Sequence, residues 1–343
     1  MLLRNWDNVP AFIPDENYYQ GDCVLIDDEW DYDDMAPIVK FKVVKKIIAP
    51  NDKATNKLFA LSEENFKEMI SNGKRIEIVE EKARKKTPEV ITKIWLSVNK
   101  LIDELMPGRL DEFDRTVFNA LISEFFAGND CTTPRRIYGL ISNNNRVYSD
   151  DLMKKICVSI KKMHSMLIKI DMTEFLKKQG ENFGKTHGFT KMIYEGYFLP
   201  AESIFVNYRH KGIWVLRFLA EPPLLKIAKM KNQLIYLSRE LLTPPKTRAT
   251  STTVKVRNYL LKRVSEIKIT NKATKKRVAK LSPTITFDDV CRKIGLENPE
   301  PKQLFDIRKT AKRLLENLVE KGELKSYEFE KNGREFYGIK IKF

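Results

Sequence analysis

Arg308, Lys309, Lys312 and Arg313 form two basic pairs at i,i+4 spacing, interleaved with Ile307, Ala311, Leu314, Leu315 and Leu318. On one helix this pattern sets four cations opposite an apolar stripe. Such a face is chemically suited to gripping phosphate, and Arg also forks onto base edges. Lys302 precedes the same helix, where unpaired N–H donors favour anions. Lys331 and Arg334 flank a turn at Lys331-Asn332-Gly333. A second basic group lies earlier in the chain, with Arg135 and Arg136 followed by Lys154, Lys155, Lys161 and Lys162. A third, including Lys272, Lys275 and Lys276, crowds residues 268–283, expected as a flexible basic loop that binds phosphate without reading sequence.

No other constellation is equipped for chemistry. Phe183-Gly184-Lys185-Thr186 has the end of a phosphate-binding loop, but Gly180 stands one residue too close and no apolar strand precedes it, so it is expected as a turn. His164, His187 and His210 are isolated. Cys23, Cys131, Cys157 and Cys291 lack the short spacing of a zinc module or disulfide scaffold. Catalytic residues, metal ligands and cofactors are therefore not expected.

The elements that carry the cations follow from periodicity. Near the C-terminus the pattern predicts a helix over 253–269, a strand at Thr284-Ile285-Thr286 and a short helix over 288–294 stopped by Gly295. A longer helix over 303–321 follows, stopped by Gly322. Strands over 324–330 and 334–343 meet at Asn332-Gly333, a strong hairpin signal. In the last strand Tyr337, Ile339, Ile341 and Phe343 are expected on one face. This order is that of a winged helix-turn-helix, whose third helix enters the major groove.

The same order recurs upstream. A helix over 111–127, a short strand at Cys131-Thr132-Thr133, a brief helix over 134–141 and a Ser149-capped helix over 149–166 precede two expected strands, 167–175 and 190–198, around a polar wing. Ahead of these, residues 87–106 predict a helix with Thr87 as N-cap and Val90, Ile94, Val98, Leu101 and Leu105 on one stripe. Strands are expected over 38–48, around 58–61 and over 75–79, a helix over 62–70, and a charged linker over 80–86. Residues 1–36 carry the acidic run 27–34, expected as a solvated arm.

The predicted class is α+β and helix-rich. It comprises a small acidic N-terminal unit (1–86), a first winged-helix domain (87–242) and a second (243–343). The 343 residues suit two or three domains. The net charge is +16, and residues 241–343 hold 25 basic against 12 acidic side chains. Such an excess points to an anionic partner, most often nucleic acid. The N-terminus lacks a signal-peptide pattern and no apolar run has membrane-spanning length, so a cytosolic chain is expected.

The stretch from Gln303 through Leu318, then Lys325-Ser326-Tyr327-Glu328-Phe329, the Lys331-Asn332-Gly333-Arg334 wing and Gly338-Ile339-Lys340-Ile341-Lys342-Phe343 resembles the second winged helix of iteron-plasmid replication initiators. The resemblance spans about the last hundred residues, extends to 110–242 in layout, and leaves 1–86 unmatched. It implies two winged helices on repeated double-stranded origin DNA, duplex opening with a host initiator and replicative helicase, and homodimers formed through the first domain off DNA. By position it gives Arg308, Lys309, Lys312 and Arg313 the groove role and Arg334 the wing role, with no catalytic residue. Three other readings fit the same residues: a DNA-binding regulator of a mobile element, an enzyme with its active site in 1–86, and a protein whose basic faces bridge acidic partners.

Overall fold

The computed structural model describes residues 41–343 except 62–63, 65, 67–75, 83–88, 99–108, 143–148, 179–190, 209–210, 239–240, 242–249, 274–280, 297 and 334. The architecture is mixed α+β. Strand β1 (Lys46–Pro50) leads into helix α1 (Lys53–Leu58), whose N-cap Asp52 accepts from the Thr55 amide at 2.9 Å. Residues near 58–61, expected as a strand, therefore close a helix. Of the strand expected over 38–48, residues 38–40 lie outside the described residues, 41–45 are not strand, and strand begins at Lys46. Glu64 and Phe66 are helical. Strand β2 (Ile76–Lys82) runs through Glu80–Lys82, which were expected to begin a linker.

Residues 89–98, expected within a helix, form strand β3 (Glu89–Val98), which lies between β2 and β5 (Met166–Asp171). The reason is visible in the residues. Val90, Ile94 and Val98 stand four apart, a spacing that satisfies a period of two as well as 3.6. The intervening Ile91, Thr92 and Trp95 favour strand. Ile94 and Leu96 are buried, while Lys93 and Trp95 face the other side. Strand β6 (Ile193–Tyr197) pairs with β5 and completes the sheet order β2-β3-β5-β6.

Helix α2 (Glu112–Phe126) starts in a capping box in which Asp111 accepts from Phe113 and Asp114 amides while the Asp114 carboxylate accepts from the Asp111 amide. Strand β4 (Cys131–Thr132), helix α3 (Pro134–Ser142) and helix α4 (Asp150–His164) follow. The strands expected to enclose the first wing do not pair with β4. A short helix, α5 (Thr173–Lys178), follows β5 instead of further strand. Strand β4 pairs with β8 (Lys211–Phe218), the second strand of a hairpin with β7 (Ala201–Tyr208), giving the order β4-β8-β7. Helix α6 (Pro223–Met230) and strand β9 (Leu234–Ser238) return the chain to β1, with which β9 pairs antiparallel.

Helix α7 (Ser251–Ala273) is the spine. It extends through Lys272, where a loop was expected; Lys275 and Lys276 fall outside the described residues. Strand β10 (Thr284–Thr286), helix α8 (Phe287–Lys293), helix α9 (Pro301–Glu320) and strands β11 (Ser326–Asn332) and β12 (Glu335–Lys342) complete the chain, with strand order β10-β12-β11. Gly333 turns the hairpin at φ 62° and Gly322 ends α9 at φ 71°, backbone that L side chains rarely adopt. A bulge between Glu330 and Lys331 shifts the register, so Phe336 rather than Tyr337 turns inward with Ile339 and Ile341; Tyr337 is exposed, contrary to expectation, and so is Phe343. The apolar core is continuous from Val44 to Ile341.

Candidate nucleic-acid interface

Helix α9 buries Ile307, Ala311, Leu314, Leu315 and Leu318 and turns Lys302, Phe305, Asp306, Lys309, Lys312 and Glu316 to solvent. Burial of the Leu/Ile stripe against α7 fixes the axial rotation of the helix, and that rotation sets which cations project. Lys302 and Lys309 are exposed, and Lys312 is exposed at 3.8 Å from Glu316. Arg313 is half-buried.

Arg308 is turned inward. Its guanidinium lies 5.4 Å from the centre of the Phe287 ring and 5.7 Å from that of Phe336, and Nη2 donates to the Phe336 carbonyl at 3.2 Å. Arg308 therefore links α8, α9 and β12, a packing role that helical spacing alone does not separate from a surface role. Lys331 is exposed and its ammonium stands 4.7 Å from the Phe336 ring centre, beside the hairpin tip. Arg334 lies outside the described residues.

Helix α4 offers a second cationic face. Ile156, Ile160 and Met163 are buried, and Lys154 and Lys155 are exposed. Lys161 is half-buried, its ammonium 5.8 Å from the Trp214 ring centre on β8. Lys162 is taken up internally: it lies 2.7 Å from the buried Asp114 carboxylate and donates to the Arg109 carbonyl at 2.9 Å. Arg136 is taken up likewise, 3.0 Å from the fully buried Glu124 and over the Phe41 ring at 3.9 Å. Arg135 is half-buried. The cations of this region thus divide into exposed Lys154 and Lys155 and the internally paired Arg136 and Lys162.

Helix α7 packs on α9 and on α2, and α2 in turn carries α4. Lys255 bonds the Asp111 carboxylate at the start of α2, Asn258 donates to Thr116 at 2.9 Å, Lys262 donates to Asn56 at 2.7 Å, and Lys268 reaches Glu323 at 2.5 Å. Burial would raise the Asp111 carboxyl, but Lys255 outweighs it and holds the group below the ordinary carboxylate range. Between α1, α2, α7 and α8 lies a cavity of about 470 Å³, with Asn56, Glu112, Arg115, Tyr259, Lys262 and Arg292 in its wall. Burial, and then the neighbouring Arg115, pull the Lys262 ammonium down to about 7. Burial lifts Tyr259 to about 12 and raises Glu112.

Among the described residues no three His, Cys, Asp or Glu side chains converge in a way that could hold a metal, and Cys131, Cys157 and Cys291 are free thiols. His164 sits 2.7 Å from the Ala201 carbonyl and stacks on Tyr197. Residues 183–186, His187 and His210 lie outside the described residues. No helix among the described residues is long and apolar enough to cross a membrane. Two exposed residues of the basic helices, Phe305 and Val158, escape a reading by charge; their signal is an apolar side chain on an otherwise polar stripe.

No protein-family model matches the chain. No curated protein matches it. Among solved structures it is similar to the crystal structure of selenomethionine derivatives of domain 2 and domain 3 of RctB, at 12% identity and a TM-score of 0.36, over 79% of this chain and 91% of that one. It is also similar to a crystal structure of RctB domains 2-3, at 11% identity and a TM-score of 0.35, over 78% of this chain and 92% of that one.

Proposed function

We propose that this chain is a DNA-binding replication initiator that holds repeated duplex sites with two winged-helix modules, α4 serving as the groove helix of the first and α9 of the second. The observation that carries the reading is the face of α9: Lys302, Lys309 and Lys312 project opposite the buried Ile/Leu stripe, beside a two-stranded hairpin tipped by Lys331. A rigid helix with cations on its outer face and a ribbon at its flank suits a major groove and the adjoining backbone. In the first module the wing is then the β7–β8 hairpin, because it has the same relation to β4 that β11–β12 has to β10.

The initiator role extends this reading through the resemblance of the last hundred residues to iteron-plasmid initiators. On it, the chain binds origin repeats, assembles with a host initiator and helicase, pairs as a homodimer off DNA in the bacterial cytoplasm, and works by binding and deforming DNA without catalytic residues of its own.

The test has two stages. With the full chain on duplex DNA from beside its gene, log affinity falls linearly with log salt, by about 0.9 for each phosphate neutralised; a flat response overturns DNA binding. A plasmid with no other origin, carrying the gene and its flanking repeats, is then maintained. Loss of the plasmid despite repeat binding leaves a transcriptional regulator instead.

A further inference from the structure

The two basic helices share a constellation that charge alone does not explain. Phe305 on α9 is 62% exposed and Val158 on α4 is 43% exposed, each in the middle of a cationic face. Outward-facing cations stand a turn to either side of each: exposed Lys302 and Lys309 about Phe305, and exposed Lys155 and half-buried Lys161 about Val158, whereas Arg308 and Lys162 turn inward. In a 3.6-residue helix these positions lie one turn above and one turn below the central residue. Neither apolar side chain belongs to the core or packs on its edge. A phenyl ring left in water amid lysines serves no purpose in folding.

The major groove supplies what such a side chain would cover. Its floor is lined by hydrogen-bonding edges, and among the four ordinary bases thymine alone projects a methyl group there. Cations a turn to either side would anchor the helix to the flanking phosphates and hold the central side chain toward the bases. We propose that Phe305 and Val158 are specificity-determining residues, each selecting a thymine through its 5-methyl group. This rests on the assignment of α9 and α4 as groove helices and adds which base each one reads.

The experiment removes the methyl and nothing else. Preferred duplexes are selected in vitro with the full chain from a random pool, and each thymine is replaced in turn by deoxyuridine. One position should respond to each helix, with affinity falling about three- to fivefold for one lost methyl contact. In Phe305→Ala the α9 position becomes indifferent to uracil, and in Val158→Ala the α4 position does. Both variants keep the wild-type thermal midpoint, because both side chains are exposed, and both keep the salt slope.

Wild-type affinity unmoved by every uracil, or uracil penalties identical in wild type and variants, overturns the thymine assignment while leaving DNA binding intact. Failure of the full chain to enrich any duplex overturns both. Weaker binding of Phe305→Ala by the same factor on every duplex, methylated or not, marks a wedge or packing role and also overturns it.

Discussion

Arg308 on α9 donates from Nη2 to the main-chain carbonyl of Phe336 on β12 at 3.2 Å, and its guanidinium stands 5.4 Å and 5.7 Å from the ring centres of Phe287 and Phe336. The helix and the hairpin that would flank a duplex are thereby tied at one point. Two cation–π contacts and one hydrogen bond in a half-buried setting contribute on the order of 1–2 kcal/mol. Arg308→Ala is expected to lower stability by about that amount in urea denaturation and to weaken DNA binding by loosening the hairpin. Lys309→Ala, at an exposed position, leaves stability unchanged and lowers the salt slope by about one. Equal stability of the two variants would show that Arg308 is an ordinary surface cation.

The internally paired cations of the first module call for the opposite experiment. Glu124 is fully buried, held by Arg136 at 3.0 Å and by Asn129. Arg136→Ala leaves that carboxylate buried without its charge partner and should cost about 3–5 kcal/mol. The pair replacement Arg136→Met with Glu124→Leu should recover most of the loss, because it removes both charges together. A double variant as unstable as the single one would refute this account. Lys154→Ala and Lys155→Ala, by contrast, should alter DNA affinity alone.

This division was only half legible in the sequence. The C-terminal hundred residues announce themselves through local signals: Asn332-Gly333 for the hairpin, Gly322 for the helix stop, and the unbroken stripe from Ile307 to Leu318. Pairings distant in the chain announce nothing. Strand β4 at Cys131 chooses β8 near Arg217, past a closer hairpin candidate, and no local spacing encodes that choice. The spacing of Val90, Ile94 and Val98 fits both a helix and a strand, and pairing with β2 and β5 decides for strand β3. Lys162 and Lys155 look alike in one dimension, and only the fold brings Asp114 to the former.

Lys262 makes stability depend on pH in a predictable direction. Its ammonium titrates near 7 in the fold against an ordinary 10.5, with burial as the main cause. Above 10.5 both folded and unfolded chains hold it neutral, so it contributes no penalty. As pH falls toward 7 the unfolded chain gains a proton that the folded chain refuses, and stability declines by up to about 1.4 kcal/mol per pH unit. Below 7 both states are protonated and the decline stops. Lys262→Met should therefore flatten the wild-type slope between pH 7 and 10 in denaturant titrations. A difference between the two proteins that is constant over that range would show that Lys262 stays charged in the fold.

Arg257 presents a sharper case, because burying its charge has so little local compensation. The side chain is 1% exposed on α7, and burial draws its guanidinium down to about 10. Nη2 donates to the Ile141 carbonyl at 3.4 Å, while among the described residues Nε and Nη1 have no hydrogen-bond partner. Ile141 lies in the last turn of α3, where the helix dipole offers partial negative charge worth a few tenths to about 2 kcal/mol. The desolvation of a cation with most donors unmet costs several kcal/mol, so the dipole does not offset it. Methionine fills nearly the same volume with a flexible apolar chain and asks for no partner. Arg257→Met is accordingly expected to raise the denaturation midpoint by the equivalent of about 1–3 kcal/mol with an unchanged m-value. Destabilisation by a similar amount would mean that the bond to Ile141 anchors α7 to α3 more strongly than its length suggests, and that the charge is a structural tie between the two helices.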